Sequence, residues 1–198
     1  EALEMPVGYC NPFRLETIDV LAKAKTACPD SERPYYYLGN LLYNIQPDNA
    51  MAEWRKCVEM NPNDDLAWRN LGWANWLHTR DYAESVRCYK KAIEINPNAA
   101  LYLEECDQAM EANRTPVPER YELLKSHHAT CEKRYYPLSQ EVVLGTWCGD
   151  YDYVLGLLDS CYFPTREGVA NFHDNFVDAC VLAGKAKLEK GDAKGAIA

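Results

Sequence analysis

The segment EMNPNDDLAW (59–68) returns as EINPNAALYL (94–103), and the prolines of the two Asn-Pro steps, Pro62 and Pro97, stand 35 positions apart. A period in the mid-thirties is too long for a single element and too short for a domain. It is the length of one helical hairpin, which cannot bury its apolar face alone and does so by stacking on the next copy. Between proline stops the apolar residues recur at helical spacing. Leu15, Ile18, Leu21 and Ala22 form one stripe, Tyr82, Val86, Tyr89 and Ile93 a second, and Tyr102, Cys106, Ala109 and Met110 a third. Each follows i, i+3/i+4, i+7, and no strictly alternating run of β-branched residues competes with it. The expectation is an all-α chain of about eleven helices, by the start and stop signals of helices.

Within the period, two stretches share a finer pattern. Residues 65–98 carry Trp68-x-x-Leu71-Gly72, then Ser85-x-x-x-Tyr89, Ala92 and Pro97. Residues 32–64 carry Tyr35-x-x-Leu38-Gly39, Ala50-x-x-x-Trp54 and Pro62. The glycines suit a close approach of two helices, Ala50 and Ser85 suit a crossing point, and Trp54 and Tyr89 suit the gap to the next unit. These motifs resemble the tetratricopeptide repeat, and the resemblance implies an α–α superhelix built of helical hairpins. The pattern departs from that family at mid-helix, where Leu42 and Asn75 replace its tyrosine and an aromatic, Tyr43 or Trp76, follows one place later. Gly39 to Pro62 is 23 residues and Gly72 to Pro97 is 25, so one hairpin turn is shorter than the other.

The chain then divides into a partial repeat (1–31), two repeats (32–64 and 65–98), degenerate repeats (99–161), a loop (162–171) and a truncated repeat (172–198). Leu15 to Pro29 reads as a lone second helix, and LAGKAKLEKGDAKGAIA (182–198) as a first helix, a turn and the opening of another. Both ends therefore read as cut from a longer array. The segments PYYYLGNLLYN (34–44), WRNLGWA (68–74), LYLEECDQA (101–109), ERYELLKSHH (119–128) and YFPTREG (162–168) are also similar, in order, to a bacterial family that joins such repeats to an N-terminal domain of unknown function. That resemblance implies an association with carbohydrate use.

Composition narrows the partners. The formal net charge is −9, from 30 acidic against 21 basic residues, which disfavours nucleic acid and anionic membrane surfaces. No apolar run approaches the roughly 18 residues that span a bilayer, and EALEMPVGYC has no signal-peptide pattern. Nine cysteines occur without a C-x-x-C, the closest pair, Cys148 and Cys161, being 13 apart. They read as free, mostly buried thiols in a reducing compartment, so the cytoplasm is the expected location.

Little in the sequence suggests chemistry. H-E-x-x-H, P-loop, G-x-S-x-G and G-x-G-x-x-G motifs are all missing, and no acid pair converges as a general acid and base would. His127 and His128 are adjacent, and so diverge by about 100° on a helix. His78 lies by a turn, and His173 beside Asp174 is unremarkable. The expectation is no catalytic residue, no metal and no cofactor. In the loop YFPTREGVANFHDNF (162–176), Thr165, Arg166, Asn171 and His173 are candidates for a polar ligand or neighbouring domain, against a linker packed by Phe163 and Phe172.

Binding is the remaining role. The tetratricopeptide resemblance implies that first-helix side chains line a groove. Those positions lie close to Tyr36, Asn40 and Tyr43 in one repeat and Arg69, Trp73 and Trp76 in the next. Tyr, Trp and Arg are the residue types enriched at binding hot spots. Trp54 and Trp68 are read as packing, and Trp73 and Trp76 as either core or binding surface. A clamp for acidic peptide termini is excluded: Asn40 and Asn70 fit it, but Leu101 and Glu105 stand where cations are needed. The function expected is a scaffold for a protein or peptide partner, or for another domain of the parent chain. The other reading is an accessory region of a larger, carbohydrate-active enzyme whose catalytic residues lie elsewhere.

Overall fold

A computed structural model describes residues 12–163 and 172–197. Among them are eleven α-helices, one π-helical turn and no strand. The chain forms two compact units, Glu1–Pro97 and Asn98–Ala198.

The first unit holds α1 (Thr17–Ala27), α2 (Arg33–Leu42), α3 (Pro47–Met60), α4 (Asp65–Ala74), a π-helical turn (Asn75–Thr79) and α5 (Tyr82–Ile95). The starts follow local chemistry. Asp64 accepts the Ala67 N–H and Asp81 accepts the Glu84 N–H, each satisfying a helix-terminal donor. Pro47 opens α3, where its missing N–H costs nothing. The core gathers Leu38, Leu41 and Leu42 of α2, Ala50, Met51, Trp54 and Cys57 of α3, and Ala67, Leu71 and Ala74 of α4. From α1 only Leu21 is buried.

Trp54 and Tyr89 each pack on the glycine of their own hairpin, and Trp54 shares a core cluster with Ala67, Leu71 and Ala74 of α4. A Cβ on Gly72 would stand 2.9 Å from the Tyr89 ring, and one on Gly39 would clash with the Trp54 indole. Ser85 completes the second crossing by donating its hydroxyl to the Gly72 carbonyl at 2.8 Å. Trp68 is half-buried rather than core. Its Nε1 donates to the Pro62 carbonyl at 2.9 Å, and its ring lies under the Arg87 guanidinium at 5.2 Å.

The second unit holds α6 (Ala100–Ala112), α7 (Val117–Ser126), α8 (His128–Cys131), α9 (Tyr135–Trp147), α10 (Tyr151–Ser160) and α11 (Phe172–Glu189). Its α9–α10 hairpin reuses the glycine device: a Cβ on Gly145 would lie 2.7 Å from Val154 Cγ2. Gly149 makes the intervening turn at φ +78°. Between α6 and α7 lies a buried ion pair. Arg120 Nε and Nη2 donate to the two carboxylate oxygens of Asp107 at 2.8 and 3.0 Å. α11 begins ten residues before the helix expected from residue 182, and after Gly191 a turn opens in which Gly195 N–H bonds Asp192 Oδ1. Thr165, Arg166 and Asn171 fall outside the described residues, while His173 lies exposed on α11.

None of the eight cysteines in the described segments is held in a disulfide: Cys57, Cys88, Cys106 and Cys131 are buried, and Cys148 and Cys180 are exposed. Protection is therefore less general than the sequence suggested. No helix among the described residues is long and apolar enough to cross a membrane.

Candidate functional site

The candidate face is built from α2 and α4, first helices of the two hairpins in the first unit. They are tied by amides. Asn70 Nδ2 donates to Asn40 Oδ1 at 2.9 Å, and the same oxygen accepts Trp54 Nε1 at 3.1 Å. Asn40 thereby joins α2, α3 and α4, and both asparagines are committed to the scaffold. Tyr36, one turn earlier, is 5% exposed and belongs to the core cluster. Burial raises its hydroxyl pKa, against hydrogen bonds from Asn40 and Asn70.

The remaining four candidates are half-buried. Arg69, Trp73 and Trp76 form a ladder along α4: the Arg69 guanidinium lies 5.3 Å from the Trp73 ring centroid, and Trp73 meets Trp76 edge-to-face at 5.7 Å. Both geometries are favourable for a π system. Tyr43 stacks on Trp54 at 5.4 Å, which fixes its ring at the end of α2. Burial raises the Tyr43 pKa while Arg69 opposes the rise, so the cation's field reaches from α4 to α2. The structure thus leaves Tyr43, Arg69, Trp73 and Trp76 half-open, with Asn40 equally half-buried but bonded to Asn70 and Trp54, and buries Tyr36.

The two extra residues between Gly72 and Pro97 are taken up at this site. After Ala74 the helix widens into a π-turn, where buried Asn75 donates to the Leu71 carbonyl at 2.8 Å and Thr79 Oγ1 donates to Asn75 Oδ1 at 3.2 Å. Arg80, at φ 60°, ends it. A π-turn within an α-helix is uncommon and often marks a functional surface. Here it carries Trp76.

At the opposite end of α2 and α4 lies a cleft of about 180 Å3, lined by Glu32, Arg33, Tyr36, Asp64, Asp65 and Leu66 among others. Three of these are carboxylates. Burial pushes the Asp64 pKa up, against the Ala67 N–H bond that lowers it.

The described structure brings together one cluster that the sequence did not suggest, His128, Glu132 and Cys161. The His128/Glu132 spacing of i, i+4 was legible; the arrival of Cys161 from another helix was not.

Residues 67–99 match the tetratricopeptide repeat family. The chain is 25% identical over 131 residues to the Protein SGT1 homolog of Bos taurus, covering 64% of this chain and 38% of that protein. It is 34% identical over 62 residues to the Peroxisomal targeting signal receptor of Kluyveromyces lactis, covering 31% of this chain and 11% of that protein. It therefore spans well under half the length of both curated relatives. Among solved structures it is similar to YrrB, described as a TPR protein with an unusual peptide-binding site, with TM-score 0.60, 16% identity, and coverage of 90% of this chain and 88% of that one.

Proposed function

We propose that this tetratricopeptide-repeat protein is a non-catalytic scaffold that holds a protein or peptide segment on the α2–α4 face. The observation that carries the reading is the Arg69–Trp73–Trp76 ladder. Two edge-to-face indoles topped by a guanidinium form a rigid, half-open aromatic surface next to Tyr43. Such a surface loses little side-chain entropy on binding, and its residue types are those that dominate hot spots. The amide tie between Asn40 and Asn70 supports it by holding the two helices in register.

The ligand chemistry follows from the ends of the face. Apolar side chains of an extended segment or a helix lie on Trp73 and Trp76. Arg69 makes a directional contact to a carbonyl or carboxylate. The acidic cleft at Glu32, Asp64 and Asp65 favours a basic residue at the other end. The net charge of −9 agrees with a neutral or basic partner and opposes phosphate-rich ones.

A peptide-display library selected against the whole chain tests the proposal. Selected peptides are expected to carry an apolar anchor with a basic flank, and to bind Trp73→Ala about 30-fold or more weakly, the equivalent of the roughly 2 kcal/mol of a hot spot. Peptides that bind the Trp73→Ala and Trp76→Ala variants as well as they bind the parent would overturn it.

A further inference from the structure

We infer that His128, Glu132 and Cys161 of the second unit form a binding site for a zinc-type divalent cation. Their donor atoms all lie within 4.8 Å of one another. His128 Nε2 is 3.4 Å from Glu132 Oε1, and Cys161 Sγ is 3.4 Å from the same oxygen. In a tetrahedral site with bonds of about 2.0–2.3 Å, neighbouring donors stand about 3.3–3.7 Å apart. Two of the three edges already have that length, and the His128–Glu132 edge is long for a direct N–H···O hydrogen bond.

A second observation points the same way. Glu141 is 0% exposed, and its two oxygens are engaged separately: Tyr153 donates to Oε1 at 2.6 Å, and Oε2 lies 3.0 Å from His128 Nδ1. With the proton on Nδ1, facing this buried carboxylate, the Nε2 lone pair is directed at Glu132 and Cys161. This carboxylate–histidine arrangement is the one that orients histidine ligands toward zinc. Tyr153 packs edge-on to the imidazole at 6.2 Å and steadies the ring.

The donor set selects the ion. Thiolate, imidazole and carboxylate together suit zinc or cobalt, while calcium and magnesium demand oxygen. Three protein donors leave one position for water. Binding replaces the Cys161 S–H bond with a metal–sulfur bond and releases that proton to solvent; His128 ligates through Nε2 with its Nδ1–H on Glu141. Glu132 and Cys161 follow the ends of α8 and α10, so the ion ties the short α8 to the point where the chain leaves α10.

Titration of the whole, chelator-stripped chain with cobalt and then zinc tests this. One cobalt per chain is expected, with a thiolate-to-cobalt charge-transfer band that zinc removes stoichiometrically. Cys161→Ser is expected to abolish the band and to weaken zinc binding about 100-fold or more. Cys148→Ser, an exposed thiol outside the cluster, keeps both. Unchanged far-UV circular dichroism of Cys161→Ser identifies the loss as one of ligation. A parent chain without the band, or a band that survives Cys161→Ser, overturns the assignment.

Discussion

Gly39 faces the indole edge of Trp54 with no room for a methyl group between them, since Trp54 Nε1 turns inward to the Tyr36 carbonyl at 3.3 Å and to Asn40 Oδ1 at 3.1 Å. The glycine and the tryptophan are one device: the missing side chain lets α2 settle on the ring, and the ring's N–H finds acceptors on α2. Gly39→Ala is therefore expected to destabilise the protein by about 1–3 kcal/mol through overpacking. Gly156→Ala is its control. Nothing lies within 4 Å of a Cβ at Gly156, so alanine there gains up to about 1 kcal/mol of helix propensity. Urea denaturation of the two variants separates the cases, and equal effects would refute the close-approach account.

Tryptophan variants distinguish scaffold from binding face. Trp54 is 3% exposed, and its deletion to alanine is expected to cost about 3–5 kcal/mol. Trp68→Ala removes a half-buried ring and one hydrogen bond, and about 1–2 kcal/mol is expected. Trp73→Ala is expected to cost no more than Trp68→Ala in thermal melts, because Trp73 too is only half-buried. A loss at Trp73 as large as that at Trp54 would make it core and remove the basis of the proposed face.

The legible part of this fold was periodic. The spacing of Pro62 and Pro97 and the paired glycines encode hairpins locally, so helix number and kind followed directly. Two extra residues between Gly72 and Pro97 were also visible. That Asn75 and Thr79 would absorb them as a π-turn was not, because this depends on buried hydrogen bonds. Tyr36 and Tyr43 are seven apart and share a helix face, yet one is buried and the other half-open. Spacing fixes direction along one helix; the neighbouring Asn40–Asn70 junction decides depth. Charged residues show the limit of residue type: Asp107, Arg120 and Glu141 are buried, Asp107 paired with Arg120 and Glu141 bonded to His128 and Tyr153, partners on neighbouring helices that periodicity does not reveal.

The Asp107–Arg120 pair makes a stability prediction. Both side chains are almost fully removed from solvent. Arg120→Met leaves a buried carboxylate uncompensated, and a loss of about 3–5 kcal/mol is expected. The double variant Asp107→Leu with Arg120→Met removes both charges and is expected to regain most of that loss. A double variant as unstable as the single one would show that packing, not charge pairing, is the deficit.

Thiol labelling reads burial in the second half as well as the first. Cys148 and Cys180 are expected to react within the first rapid phase, while Cys57, Cys88, Cys106 and Cys131 wait for unfolding. Burial pushes the Cys88 thiol up to about 12, with Glu84 adding to the rise, so its thiolate fraction near neutral pH is negligible. Peptide mapping after a short alkylation checks the order. Early modification of Cys57 or Cys131 would place a helix interface elsewhere.

Asp64 supplies a pH dependence with a definite sign. Its carboxylate caps α4 through Ala67 N–H at 2.8 Å and accepts Cys57 Sγ at 3.4 Å, but burial dominates and raises its folded pKa. A carboxyl with a raised folded pKa holds its proton more tightly in the folded state. Its contribution to stability is thus full below the unfolded value, near 3.9, and is lost as pH rises through the folded value. Asparagine caps a helix about as well as aspartate and does not titrate. Asp64→Asn is therefore expected to gain stability relative to the parent as pH rises above the unfolded value, near 3.9. Asp64→Ala lacks the cap and is expected to fall about 1 kcal/mol below Asp64→Asn. Urea melts across that range give the comparison. An Asp64→Asn variant that loses ground as pH rises would mean that the ionised carboxylate is favoured at the α4 terminus, reversing the sign assigned to this group.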